Sequence, residues 1–372
     1  MKRLFVLFAA ALSAAAWTRA ETETPRFRLA AGPVWSPGAE LSARWHPETA
    51  RGLVPFAWGT TKTGGGAPPA TGFANRDYED GHVRLDAGTT DPETMEYGLT
   101  WNWGYDRASQ YDGSTVAFHT PAATTTTFRQ LDASVADDRD DLDFFGADVA
   151  ATLVLGNVLG GEGGLSLGVR WFGDEDEEFV QSAAVALETR SSSRYVDRYD
   201  AHWAGFPSAP YSGTADGPGY LLDNVPMSRS SESLGRSSTV WTVQSRAHVE
   251  LERLELRLGV PFEWRFAGDR ITLGIAPHVA CGRLELTADV ETTVAAGNAV
   301  KVRDARRAEK DAWIVGAGAE VTLAVALGRG WSVAAGVAGD AWFDDLAVSA
   351  GSFDFKAELG AWSFRIALAK EF

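Results

Sequence analysis

Along the last eleven residues of the chain, apolar and polar positions alternate without a break. Trp362, Phe364, Ile366, Leu368, Lys370 and Phe372 point one way, and Ser363, Arg365, Ala367, Ala369 and Glu371 point the other. A period of two is that of a β-strand, so this segment predicts a strand with one apolar face and one small or polar face. The pattern recurs upstream. Phe145, Ala147, Val149, Ala151, Leu153 and Leu155 form one apolar set, and Leu165, Leu167, Val169 and Trp171 the next. A longer set runs through Leu254, Leu256, Leu258, Val260, Phe262, Trp264 and Phe266. Ile271, Leu273, Ile275, Pro277, Val279 and Cys281 follow, and the phase then slips near Gly282-Arg283, which predicts a bulge. Trp313 to Leu327 and Trp331 to Phe343 alternate likewise, as do Phe27, Leu29 and Ala31 near the start.

The connections fall into two length classes. Segments 156–164, 267–270 and 328–330 are short and carry glycine, whereas 46–96, 120–142, 174–238, 290–311 and 345–360 are long and polar. Short turns at one end and long loops at the other are the arrangement of transmembrane barrels. The terminal alternating strand closed by Phe372 resembles the C-terminal strand of bacterial outer-membrane β-barrel proteins, where it serves as an assembly signal. Lys370 departs from that resemblance, standing where such strands often carry an aromatic. The likeness is to the barrel class of Gram-negative bacteria, small porin-like or OmpA-like. It implies an antiparallel up-and-down barrel, insertion by the barrel-assembly machinery, and contact with outer-membrane lipids and lipopolysaccharide.

Met1 to Ala20 reads as a cleaved secretory signal: Lys2 and Arg3, an apolar run, then Thr18-Arg19-Ala20. That leaves 21–372 for the barrel and its loops, in the outer membrane. Elsewhere no stretch approaches the ~20 apolar residues of a spanning helix. Strand number is set at about ten, within eight to twelve, the extra pair being Tyr97–Tyr105 and Ser114–His119 if they span. Aromatic positions then fall into two belts, with Trp264, Trp331 and Phe372 at the short-turn end and Phe145, Trp171, Trp313 and Trp362 at the other.

Charge narrows the partners. The formal net charge is −16, and removal of the signal leaves 31 basic against 50 acidic residues, a balance of −19 that disfavours nucleic acid. Cys281 is the only cysteine, so neither an intramolecular disulfide nor a cysteine metal cluster can form. Opposite the apolar sets stand Asp148, Arg170, Glu255, Arg257, Glu263, Arg265, His278, Glu320, Asp340 and Arg365. In a barrel of this size they would line a lumen that side chains nearly fill, either as an ion-pair plug or as a narrow channel for small solutes. Two acidic runs, with Asp138, Asp140 and Asp141 in one and Asp174, Asp176 and Glu178 in the other, would meet at the outer rim. They are candidates for Ca²⁺ or Mg²⁺ bridging to lipopolysaccharide, or plain solvated loop ends. No other cofactor is indicated.

A rim hydrolase of lipid or peptide would need a Ser–His or Asp–His constellation, and no motif of such an enzyme is readable; His278 and His119 are its nearest candidates. Aromatics in 174–238 suggest a folded-in lid. The expected function is structural or surface-interacting, with the channel and the hydrolase as alternatives.

Overall fold

The computed structural model describes residues 26–54, 57–86, 98–158, 160–201, 205–217 and 219–372. The signal-like segment 1–20, Tyr97, His202 and Trp203 lie outside the described residues. In chain order come β1 (Arg26–Trp45), the short helix α1 (Pro47–Arg51), β2 (Gly59–Gly64), β3 (Arg76–Tyr78), β4 (Gly81–Val83), β5 (Leu99–Thr100) and β6 (Trp103–Tyr105). Then follow β7 (Thr115–His119), β8 (Ala123–Gln130), β9 (Ala136–Val158), β10 (Gly161–Phe172), β11 (Glu175–Asp200), β12 (Tyr211–Ser212) and β13 (Leu222–Asp223). The last third holds β14 (Ser228–Gly259), β15 (Phe262–Phe266), β16 (Ile271–Ala296), β17 (Ala299–Gly328), β18 (Trp331–Trp342), β19 (Leu346–Ala350), β20 (Phe353–Glu358) and β21 (Trp362–Glu371).

Antiparallel pairing closes a ring. β1 pairs β9, β9 pairs β10, and β10 pairs the combined strand β14–β15. That strand pairs β16, then β17, β18 and β21 follow, and β21 returns to β1. Eight staves close the circuit, not ten. The segments that would have supplied the extra pair lie elsewhere: β6 joins β4 and β12 in a small sheet, and β7 pairs the far end of β11. The tight turns are where the spacing places them. At Gly328, Arg329 and Gly330 φ is +95°, +55° and +75°, and glycine relieves the left-handed strain at two of the three.

Outside the ring the apolar sets face outward and bare. Leu256 and Leu323 are 40% and 52% exposed, so no second sheet covers them. Trp35, Phe145, Trp171, Trp313, Phe343 and Trp362 ring one end of this band, with Trp35 stacked on Phe145 and on Phe364. Phe27, Phe266, Trp331 and Phe372 ring the other, and Trp264 is half-buried beside them. Lys370 sits over Trp331 and Phe372, its ammonium 5.4 and 5.8 Å from the two ring centroids, so an aliphatic stem fills the place of an aromatic.

Beyond the Trp35–Trp313 ring the same strands run on, and their sidedness inverts. In β14, Leu254, Leu256 and Leu258 face outward while Arg253, Glu255 and Arg257 are buried within. A few residues further, Val243, Ala247, Val249 and Leu251 are buried, and Arg246, His248, Glu250 and Glu252 are exposed. β16 behaves alike, with Leu284, Leu286, Ala288 and Val290 inward. Its pairing with β14 passes through Gly282-Arg283 without a shift, so the bulge expected there is absent. The strand keeps its geometry and its surroundings change.

Four of the five segments expected as long loops are largely strand, while the described part of 46–96 holds only α1 and the short strands β2, β3 and β4. β16 and β17 meet in a turn at Gly297-Asn298, replacing the loop 290–311, and β11 and β14 occupy most of 174–238. Above the ring two four-stranded sheets, β19–β20–β1–β9 and β11–β14–β16–β17, enclose one apolar core that includes Trp45, Phe144, Phe172, Phe353 and Phe355. Farther out, β2, β8, β11 and β14 form a Ser/Thr-rich sheet, with Thr60–Thr127 and Thr124–Ser192 hydroxyls bonded across strands at 3.2 and 3.1 Å. A second core of Tyr78, Trp103, Tyr105, Phe118, Tyr199 and Leu222 closes the far end. Phe206 and Tyr211 pack on that core and not over the barrel mouth, so the expected lid is instead part of a separate module.

Candidate functional site: the barrel interior

All ten residues expected to line the lumen do face it, in two layers. In the layer next to the apolar core, Arg170 donates from Nε to Asp148 at 3.0 Å, from Nη1 to Ser363 at 2.7 Å and from Nη2 to Glu320 at 3.2 Å. Arg365 bridges the same two acids, reaching Asp148 at 2.6 Å and Glu320 at 2.5 Å. Beside it, Arg257 binds Glu255 at 3.0 Å and Asp340 at 2.6 Å, and Asp340 meets His278 Nε2 at 2.6 Å. Arg253 completes this layer, donating to Glu255 at 2.7 Å and to the Ser36 hydroxyl at 3.0 Å. Four arginines thus face four carboxylates, and burial of so many charges is tolerable because each has a partner.

The second layer lies at the short-turn end. Arg28 donates to Glu263 at 2.5 Å and to Glu371 at 3.0 Å, while Arg265 donates to Glu162 at 2.9 Å. Arg26 binds Glu371 at 2.8 Å and also pairs with Glu162. Between the layers is a polar cavity of about 100 Å³, and it adjoins an open vestibule of about 340 Å³ at the short-turn end. Arg253, Arg26, Arg28 and Glu162 escaped the sequence reading. For three of them the signal was available, Arg253 standing beside Leu254 and Arg26 and Arg28 flanking Phe27, whereas Glu162 lies among glycines in a segment that reads as a turn.

At the other end the lumen is stoppered. The Arg253 guanidinium lies 5.5, 4.5 and 5.7 Å from the ring centroids of Phe144, Phe172 and Trp342, and the apolar core begins directly beyond. A hydrated ion leaving the lumen there would have to cross that core.

The acidic runs do converge. Asp140 of β9 lies against Glu177 of β11, whose carboxyl is pushed up from its ordinary range by burial first and by Asp140 next. Asp138, Asp140, Asp141, Asp174, Asp176 and Glu178 are all exposed. Among the described residues no three acidic, histidine or cysteine side chains are grouped to hold a metal ion. Of the histidines, His119 Nδ1 meets Asp80 at 2.6 Å in the distal module, an orienting pair like that of His278 with Asp340. Each is thus an Asp–His pair of the kind a rim hydrolase was expected to need, and among the described residues no hydroxyl or thiol is hydrogen-bonded to either imidazole.

No family model matches the chain, and no curated protein matches it. Among solved structures it is similar to the outer membrane protease OmpT from Escherichia coli, at 10% identity over 95% of this chain and 99% of that one, with a TM-score of 0.30. A second likeness, to the siderophore receptor PirA from Pseudomonas aeruginosa, has 9% identity over 95% of this chain and 81% of that one, with a TM-score of 0.08. The fold and its chemistry rest on the geometry above.

Proposed function

We propose that this chain is an outer-membrane protein whose eight-stranded barrel is a closed, non-conducting anchor. Its work is to hold a Ser/Thr-rich sheet and an aromatic-cored module out from the cell surface for contact with other surfaces or molecules. The membrane reading rests on the bare apolar band between two aromatic rings. From Trp362 to Phe372 that band spans roughly 33 Å of strand at ~3.3 Å per residue, or about 25 Å of height at the usual tilt, the thickness outer-membrane barrels present. A signal segment at 1–20, delivery by the assembly machinery, and a surround of lipid and lipopolysaccharide belong to the same proposal.

The single observation behind a closed anchor is the stopper: Arg253 under Phe144, Phe172 and Trp342, with an apolar core beyond it. Purified full-length protein in a planar bilayer is therefore expected to stay silent under voltage. Resolved current steps that change with Glu320→Gln or Arg365→Gln would overturn the anchor and favour the channel.

A further inference from the structure

Between its two ionic layers the barrel keeps a polar cavity that its inward residues are too small to fill. An eight-stranded interior is just wide enough for side chains to pack, or for one small ligand. At this height Ala30, Ala150, Gly168, Gly259, Ala276 and Ala334, from six different staves, present a methyl group or none to a space of about 100 Å³. Five hydroxyls, those of Thr152, Ser166, Thr272, Thr322 and Ser332, line it as well. None of the five is hydrogen-bonded to another side chain or to backbone among the described residues. Polar groups inside a protein find partners, so what the cavity contains must donate and accept hydrogen bonds. One water takes at least about 10–15 Å³ of such space, which leaves room for several waters or for one small molecule.

The way in is from the short-turn end. Arg28, Thr272, Ala324 and Ser332 line both the cavity and the open vestibule of about 340 Å³. Arg28 stands at the junction, held by Glu263 at 2.5 Å and Glu371 at 3.0 Å. Its side chain is 17% exposed, against 1% for Arg170 in the inner layer. The opposite end is closed by Arg253 and the rings of Phe144, Phe172 and Trp342. The interior is a cup and not a pipe.

Charge decides what the cup can hold. Four arginines face four carboxylates in the inner layer and three face three in the outer, and His278 is already bonded to Asp340. Asp269, at the mouth of the vestibule, is exposed beside Arg270. An anion or cation would lose its water and meet no surplus of opposite charge. A zwitterion would have to break pairs that already hold. A neutral molecule rich in hydroxyls needs neither, because it takes the place of water at five hydroxyls that each donate and accept.

We propose that the barrel interior binds a small neutral polyol, of roughly three to four carbons, that enters from the short-turn end past Arg28. This goes beyond the anchor reading, since a cup closed at its outer end binds without conducting.

The test uses full-length protein folded in deuterated detergent, with erythritol as the probe. Saturation of the protein methyl resonances should transfer to the erythritol protons and level off as erythritol is titrated. Ser332→Leu, which fills the cavity, should abolish the transfer. Thr322→Val, which keeps the volume and loses one hydroxyl, should raise the Kd about fivefold, the scale of one hydrogen bond. Heat-dependent gel mobility confirms that each variant is a folded barrel, and Ala334→Val replaces Ser332→Leu if that variant does not fold. Glycine and acetate, a zwitterion and an anion, should give no saturable transfer. Transfer that is absent from the folded protein, that survives filling of the cavity, or that glycine or acetate gives as strongly overturns the cup. Current steps in a planar bilayer would count against the closed anchor alone, because erythritol transfer reads the cavity whether or not its outer end is shut.

Discussion

The guanidinium of Arg253 lies 4.5 Å from the centroid of the Phe172 ring, where the ionic lumen and the apolar core meet. Arg253 and Glu255 are 2% and 0% exposed. Removing one partner of so buried a pair leaves an uncompensated charge, so Arg253→Met should cost about 3–5 kcal/mol of stability. Glu255→Gln should cost a similar amount. The double substitution should cost less than the sum by about 0.5–3 kcal/mol, because the second change removes a charge the first has stranded. Urea unfolding in vesicles, followed by tryptophan emission, gives all three values; strict additivity would mean the two side chains do not depend on each other.

The inversion along β14 makes a second prediction, about the position of the lipid boundary. Leu258 and Glu250 lie on the same outer face, eight residues apart, and face different media on the membrane reading. Leu258→Arg should cost about 2–4 kcal/mol, the cost of a cation near the mid-plane of a bilayer. Glu250→Arg should stay within about 0.5 kcal/mol, as surface changes do. The same unfolding measurement decides it, and equal costs would remove the boundary between them.

That inversion also explains what could be read in the sequence. Alternation from Phe145, Leu254, Ile271, Trp313 and Trp362 was enough for the strands, their sidedness and ten lumen residues, because a period of two survives any context. Two things were misread for one reason. At Gly282-Arg283 the apolar phase flips because, on the membrane reading, the outer medium changes from an apolar to an aqueous one, and a change of medium looks in sequence like a change of geometry. In 290–311 the inward residues Val294, Val302 and Ala308 are small and sparse, so a strand over water resembles a polar loop. Trp103, Tyr105 and Phe118 alternate as spanning residues do, yet they face a small core of their own. Local pattern records burial without recording what does the burying.

The distal module offers a test by pH. The Tyr78 hydroxyl donates to Asp197 at 2.6 Å and lies 2.8 Å from that of Tyr199. Burial foremost, and for Tyr78 the neighbouring Tyr199 next, push both phenols above the ordinary tyrosine range; burial moves Tyr105 the same way. An acid that keeps its proton in the folded state gives stability that is complete below the unfolded value of about 10 and is lost as pH rises beyond it. Absorbance at the phenolate band should therefore show an early reversible phase that lacks Tyr78 and Tyr199, and a late one coincident with unfolding of the module. Tyr78→Phe with Tyr199→Phe should shrink only the late phase. Loss from the early phase would mean that both hydroxyls reach water.

At the seam where the acidic runs of β9 and β11 meet, the sign is set by crowding. Burial and then Asp140 hold the Glu177 carboxyl above its usual range, so its contribution to stability is complete below the unfolded value of about 4.3 and is lost as pH rises through the folded one. At neutral pH the seam is thus under like-charge repulsion, and Glu177→Gln should relieve it. The gain should be about 0.2–1 kcal/mol at pH 7, the scale of solvent-exposed charge pairs, and near zero at pH 3.5, where the native acid is already neutral. Asp140→Asn should give a similar gain, and the pair together little more, because one repulsion cannot be removed twice. Urea midpoints at the two pH values, taken at low protein density in vesicles, check this. A gain that persists unchanged at pH 3.5 would show that the substitution acts through packing and not through charge.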